Sequence, residues 1–289
     1  MKEEKILITG ASGFIGTALC RLFDRSSVSY YSHRDFGLDV TRPETFKHID
    51  ASRLTYVVHL AGKTFVPDSW KDPAEFLRVN TLGTQHVAAF CREHDLRLVY
   101  VSAYIYGNTR QNPIGEEHPL NVNNPYALSK KMGEEVCLFY RQIHQLPVTI
   151  IRPFNVYGPG QNKQFLIPEI LDQVEAGDVI RIRDLSPKRD FIYVDDVARI
   201  ILRAIQTHTE GIFNAGTGRS HSVAELIQVI QKVFQTNLKV ISADSARSNE
   251  ISDTVADITR AKELLGWYPE FDLEGGIRKI KEGLPSNSR

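Results

Sequence analysis

The 289-residue sequence has no apolar run long enough to span a bilayer, so no helical membrane anchor is written into it. Lys+Arg and Asp+Glu number 35 each, leaving no overall basic field to gather nucleic acid or an anionic membrane surface. An anionic ligand therefore has to be met locally. Cysteine is scarce: Cys20, Cys91 and Cys137 are odd in number, far apart and set in apolar helical surroundings. That pattern draws neither a disulfide framework nor a metal site, and the expectation is buried thiols in a reducing cytoplasm. The opening MKEEK runs straight into an apolar stretch and leaves no room for a signal peptide, so cytoplasmic localisation is expected. Internal repeats and low-complexity tracts are also missing. With 42% hydrophobic and 24% charged residues, the composition is that of a globular chain large enough for one sizeable domain and a smaller one.

The stretch KILITGASGFIG, residues 5–16, organises the rest. Lys5 to Thr9 carries Ile6, Leu7 and Ile8 and suits a buried parallel strand; a helix follows a turn in which Gly10, Gly13 and Gly16 recur every third residue. Such a turn brings bare backbone and a helix N-terminus to an anion with no Cβ in the way, the manner in which a pyrophosphate is held. A glycine triplet also serves helix–strand packing without any ligand, so the loop alone names no cofactor.

Further along, apolar runs at 28–32, 54–60, 96–101 and 148–151 alternate with helical patterns. Asp72-Pro73 and Asn124-Pro125 each read as an N-cap followed by proline at the first helical position, and Ser222 with Glu225 reads as a capping box. The stretch DITRAKELLGW reads as a helix capped by Asp257 and stopped by Gly266. This alternation predicts an α/β Rossmann fold, a doubly wound parallel sheet with a smaller C-terminal substrate-binding domain, whose ligands lie beyond the carboxyl ends of the strands. Residues 1–157 form the dinucleotide domain, 189–216 return to it, and 158–188 with 217–289 carry the substrate.

Informative residues fall after the strands. His33 and Arg34 stand where an acid would hold a ribose diol, and an arginine there accommodates a 2′-phosphate, which favours NADP(H) over NAD(H). Asp39 either receives the adenine amino group or caps a short helix near Glu44. Ala61 and Gly62 let backbone approach the cofactor. Ser102 ends the fourth strand, and Tyr126 and Lys130, four apart at a helix start, share one face. A lysine cation beside a tyrosine is expected to bring the phenol down from its value of about 10, and a serine hydroxyl steadies charge on the same oxygen.

Together these residues resemble the extended short-chain dehydrogenases/reductases of the nucleotide-sugar epimerase, dehydratase and reductase group. Thr9, Gly10, Gly13 and Gly16 match the family's TGxxGxxG loop; Ser102, Tyr126 and Lys130 match its catalytic serine, tyrosine and lysine. Asn80 in VNTLGT, the segment RPFNVYGPGQ (152–161), KRDFIYVDDV (188–197) and NAGTG (214–218) match further signatures. The resemblance implies a cofactor site of Gly10, Ser12, Gly13, Phe14, Ile15, Gly16, Arg34, Asp39, Val40, Leu60, Ala61, Gly62, Tyr126, Lys130 and Pro153. It implies a nucleotide-diphosphate sugar bound by Ser102, Tyr126, Asn155, Arg189 and Arg247, the two arginines clamping the diphosphate, and a homodimer formed through helices like the one bearing Tyr126. Arg189 otherwise reads as an ion pair with Asp190.

Ala103 and Tyr104 replace the Asp-Glu pair of the family's 4,6-dehydratases, which speaks against dehydration. Hydride transfer at one sugar carbon needs only the triad. A 4-keto-(6-deoxy)sugar reductase leads, on Arg34 and on the glycine-free segment 180–191; a 4-epimerase with retained NAD follows. A dinucleotide-sensing module ranks third, because such relatives lose the tyrosine and lysine that are present here.

Overall fold

The architecture, seen in a computed structural model, is described for residues 5–26, 29–109, 111–177, 179–245 and 251–284. The first half alternates as expected: β1 (Lys5–Thr9), α1 (Phe14–Ser26), β2 (Tyr30–Ser32), β3 (Leu54–His59), α2 (Val66–Lys71), α3 (Pro73–Leu77), α4 (Gly83–Glu93), β4 (Arg97–Val101), α5 (Pro125–His144) and β5 (Val148–Pro153). The second half adds β6 (Asn155–Tyr157), α6 (Leu166–Ala176), β7 (Ile180–Ile182), β8 (Lys188–Arg189), β9 (Phe191–Tyr193), α7 (Val194–Thr207), β10 (Gly211–Ala215), β11 (His221–Ser222), α8 (Val223–Phe234), β12 (Val240–Ser242), α9 (Thr259–Leu265) and α10 (Leu273–Gly283).

Six strands form one parallel sheet in the order β10-β5-β4-β3-β1-β2. Alternation along β1 explains its two faces. Ile6 and Ile8 enter a cluster with Leu19 and Phe23 of α1 and Val197, Ile201 and Leu202 of α7, while Leu7 points to the opposite cluster with Val87 of α4 and Cys137 of α5. A third cluster packs Ile170 and Leu171 of α6, Leu226 and Ile230 of α8, and Ile277 of α10 around Tyr157, Phe191 and Tyr193.

The capping signals act largely as read. Asp72 accepts from Glu75 N at 3.0 Å, Asn124 from Ala127 N at 2.8 Å, and Ser222 exchanges bonds with Glu225. The helix begun at Pro73 is not continuous, however: a π turn at Arg78–Leu82 separates α3 from α4. Asp257 differs as well, accepting from Thr259 N at 2.9 Å while Ile258 takes the capping position of α9; Gly266 does end that helix in the left-handed conformation. Cys91 and Cys137 are buried and Cys20 is half-buried. No helix among the described residues is long and apolar enough to cross a membrane.

Candidate active site

The strand order sets the carboxyl ends of β2, β1, β3, β4 and β5 side by side. At β1, Gly10 has φ +70°, and a Cβ there would stand 2.6 Å from Ala61 N, so only glycine lets the first turn lie against the end of β3. A Cβ on Gly16 would be driven into the Gly10 carbonyl, and Gly13 N donates to that carbonyl at 2.9 Å. Ser12 and Gly13 are exposed, Phe14 and Ile15 half-buried, and α1 begins at Phe14. The result is a cradle of bare backbone opening onto a helix N-terminus, which fits a dinucleotide pyrophosphate.

Beyond β2, Asp35 is already committed: its carboxylate accepts from Ser32 N at 2.6 Å while Ser32 Oγ accepts from Arg34 N. The Arg34 side chain is exposed, and no carboxylate pairs with it among the described residues. Burial and the neighbouring Arg34 lower His33 below the ordinary imidazole range. Asp39 does not cap the helix at Pro43–His48, whose capping position is Arg42; it holds the backbone and hydroxyl of Thr41 at 2.9 and 2.8 Å. Val40 is buried, and its carbonyl accepts from His86 Nδ1.

Between β1 and α5 runs a buried polar chain. Ala61 N donates to Thr9 Oγ1 (3.2 Å), Thr9 Oγ1 meets His59 Nδ1 (2.7 Å), His59 Nε2 meets Thr84 Oγ1 (3.0 Å), and Thr84 Oγ1 donates to the Asn80 carbonyl (2.6 Å). The Asn80 amide continues it, holding Lys63 N and O and donating to Ser129 Oγ (2.9 Å), which donates to the Tyr126 carbonyl (2.8 Å). His59 and Thr84 escaped the sequence reading; the signal was a histidine inside an otherwise apolar strand. Asn80 lies in the π turn, a rare geometry frequent at functional sites.

Ser102 is fixed between β4 and β5 by its N–H on the Ile151 carbonyl at 2.8 Å, and its buried Oγ has no protein partner among the described residues. Lys130 Nζ donates to the Val101 carbonyl at 2.8 Å, beside Ser102, and would lie 3.5 Å from a Cβ on Gly62. Its ammonium thus spans the ends of β3 and β4, with Tyr126 one helical turn earlier. Burial lowers Lys130 to about 8 against the opposing charge of Glu134, and burial alone pushes the half-buried Tyr126 phenol well above its ordinary value. The expected lowering of Tyr126 by Lys130 does not govern here, because desolvation outweighs it. Leu60 and Ala61 are half-buried and Gly62 exposed, at the mouth; Pro153, at the end of β5, is buried.

Glu134, a further turn along α5, forms a buried pair with Arg152 of β5, with Nε at 3.0 Å and Nη2 at 2.6 Å from its carboxylate. Arg152 Nη1 also donates to Tyr106 Oη (3.0 Å) and the Glu116 carbonyl (2.9 Å). This pair anchors α5 to the sheet. Its members lie 18 residues apart, too far for helical spacing to reveal.

On the substrate side, Asn155 is half-buried, its N–H on the Asp190 carbonyl at 3.0 Å. The Arg189–Asp190 ion pair is replaced by another arrangement. Asp190 turns inward to accept from Thr217 N and Oγ1, Gly218 N and Ala256 N, while Arg189 Nη1 donates to the carbonyls of Lys188 and Ile251. Arg247 lies outside the described residues. Ala103 is buried and Tyr104 Oη donates to the Gly107 carbonyl at 2.7 Å, so neither position offers a carboxylate. No group of three or more His, Cys, Asp and Glu among the described residues is arranged to hold a metal ion.

The family model for the NAD dependent epimerase/dehydratase family matches residues 6–216. GDP-6-deoxy-D-mannose reductase of Pseudomonas aeruginosa is 29% identical, over 99% of this chain and 99% of its own. UDP-glucose 4-epimerase of Mycolicibacterium smegmatis is 30% identical, over 99% of this chain and 100% of its own. Among solved structures, RMD from Pseudomonas aeruginosa complexed with NADPH superposes with a TM-score of 0.88 at 28% identity, covering 96% of this chain and 97% of that one. The chain belongs to the NAD dependent epimerase/dehydratase family and is an NAD(P)-dependent enzyme of nucleotide-sugar metabolism.

Proposed function

We propose that this family member is an NADP(H)-dependent reductase of a nucleotide-diphosphate-linked 4-keto-(6-deoxy)sugar. The observation that carries the reading is the end of β2, where Asp35 is tied up in the Ser32 capping box and Arg34 is left exposed. A ribose diol would find no free carboxylate there, whereas a 2′-phosphate meets a guanidinium whose planar fork suits it. The reductase relative and the NADPH-bound neighbour support the same choice.

When bound, the nicotinamide supplies the hydride. Around it the chain's own groups handle oxygen and proton. Ser102 Oγ, buried without a protein partner, donates a hydrogen bond to the sugar carbonyl oxygen and thereby removes the cost of an unsatisfied hydroxyl. Tyr126 gives its proton to that oxygen as charge develops on it; its raised phenol favours the protonated donor that reduction requires. Lys130 holds the nicotinamide ribose, and its charge steadies the phenolate left on Tyr126 until solvent returns the proton. Asn155 and Arg189, with Arg247, bind the sugar and diphosphate.

A 4-epimerase is the second reading, favoured by the 30% identical UDP-glucose 4-epimerase; the triad serves both directions of hydride transfer. A homodimer is supported by α5, where Leu128, Met132, Phe139 and Ile143 leave 42%, 40%, 54% and 57% of their surface exposed, an apolar face suited to a second copy. The experiment is turnover: the protein is given NADPH or NADH with nucleotide-linked 4-keto sugars, and separately UDP-glucose without added reductant. Net NADPH loss supports the reductase; conversion without net loss replaces it with the epimerase; binding without either identifies a sensor.

A further inference from the structure

We propose that His59 is a positioning residue of this site, held as one neutral tautomer with its proton on Nε2, so that a directional run of hydrogen bonds ties the dinucleotide floor at Ala61 to the helix start carrying Tyr126. Two ends fix the direction. The Ala61 N–H can only donate, so Thr9 Oγ1 accepts from it and is free to give its own proton to His59 Nδ1. At the other end the Asn80 carbonyl can only accept, and it stands 2.6 Å from Thr84 Oγ1. Thr84 therefore spends its single proton on Asn80 and must accept at His59, which places the histidine proton on Nε2. Every donor is used once.

The opposite tautomer fails at both ends. A proton on Nδ1 would leave the Thr9 hydroxyl proton without an acceptor. It would also draw the Thr84 proton to Nε2, leaving two oxygens 2.6 Å apart with nothing between them. A doubly protonated ring breaks the Thr9 link in the same way. Burial and the positive charge of Lys130 both hold the ring neutral, lowering it to about 3. Among the described residues Lys130 is the charge acting on His59; the Tyr100 ring, 5.6 Å away, is the uncharged phenol of β4 packed against it.

The run passes through the π turn that joins α3 and α4 at Arg78–Leu82, where the Gly83 N–H reaches the Arg78 carbonyl. The Asn80 carbonyl is taken by the Thr84 side chain, and the Asn80 side chain is turned to the Lys63 backbone and Ser129. One end of the chain thus sets the Ala61 backbone that faces Gly10; the other sets the backbone of Tyr126.

The test uses the full chain labelled with 15N-histidine, free and with NADPH, and reads ring protonation by long-range proton–nitrogen correlation from about pH 5.5 to about 9, either side of the ordinary histidine value. The signal lost in His59→Gln assigns the residue. The expected result is a proton on Nε2, bare Nδ1, and no change across the range; a proton on Nδ1, or a second proton gained in the range, overturns the proposal. Thr84→Val removes the hydroxyl at constant shape and is expected to weaken NADPH binding and lower kcat by about tenfold each, one buried hydrogen bond's worth, with cooperative unfolding retained. Thr84→Ser should restore both to within about threefold. Equal losses in the serine and valine variants, or no loss in valine, overturn it. The inference rests on the dinucleotide site, and the tautomer and NADPH affinity need no sugar substrate. If they come out as expected while no keto sugar is reduced, the reaction reading fails and this one stands.

Discussion

At the carboxyl ends of β1, β3 and β4, contacts are made by backbone and by buried side chains: Gly10 against Ala61, Thr9 on His59, Thr84 on Asn80, Lys130 on the Val101 carbonyl. Around Arg189, where the proposal puts the sugar diphosphate, they are made by groups nearer the surface, such as Arg189 on Ile251. The buried groups of the first region have little freedom to lose on binding, because they are already hydrogen-bonded and Gly10 and Gly16 leave no room for substitution; the exposed Arg34 is the exception. On the proposed reading, the second orders its longer side chains around the sugar, a fixed cofactor seat beside a more adjustable wall.

The largest effect expected within the fixed side is at its reacting group. Tyr126→Phe should lower kcat on the order of 10²- to 10⁴-fold, the range of a lost proton donor, while NADPH affinity by fluorescence titration stays within about threefold. A large loss of affinity would mean that the tyrosine builds the seat and does not serve the chemistry.

Next comes the anchor of α5. Removing one partner of a buried ion pair leaves an unpaired charge, so Glu134→Ala should destabilise by about 3 to 5 kcal/mol in denaturant unfolding. Arg189→Ala, which removes bonds to the Lys188 and Ile251 carbonyls, should cost less, about 0.5 to 1.5 kcal/mol, and act on sugar KM. Similar unfolding curves for the two would erase the contrast between the sides.

A smaller, selective effect belongs to Arg34. Arg34→Ala should weaken NADPH by about tenfold or more, as for a charge-assisted hydrogen bond, and leave NADH within about twofold. Equal losses would reassign the residue to the surface. The smallest effect is in pH. Burial lowers Lys130, so its charge is lost as pH rises through about 8; kcat/KM, which reports the free enzyme, should be level below that point and fall above it. A profile level to pH 10, near the ordinary lysine value, would show that the ammonium is not needed.

Much of this contrast was legible in the sequence, for a physical reason. Strand ends, glycine turns and N-caps are local, so β1, the Gly10–Gly16 cradle, the caps at Asp72, Asn124 and Ser222, and the Tyr126–Lys130 spacing could be read directly. What escaped is non-local. His59 meets Thr9 across 50 residues and Arg152 meets Glu134 across 18, pairings that only the folded sheet brings together. The balance of charge escaped too: the Tyr126–Lys130 spacing suggests a lowered phenol, but burial, which spacing does not encode, pushes it up. The π turn was hidden as well, since the apolar spacing from Phe76 to Ala88 reads as one continuous helix.

The central claim is a net, NADPH-consuming reduction, and the most direct measurement is stoichiometry. The protein is incubated with NADPH and GDP- or UDP-linked 4-keto-6-deoxy sugars, nicotinamide absorbance is followed, and the sugar product is counted. The account predicts one NADPH consumed for each alcohol formed; conversion of UDP-glucose with no net change in nicotinamide, and no reduction of any keto sugar, would contradict it.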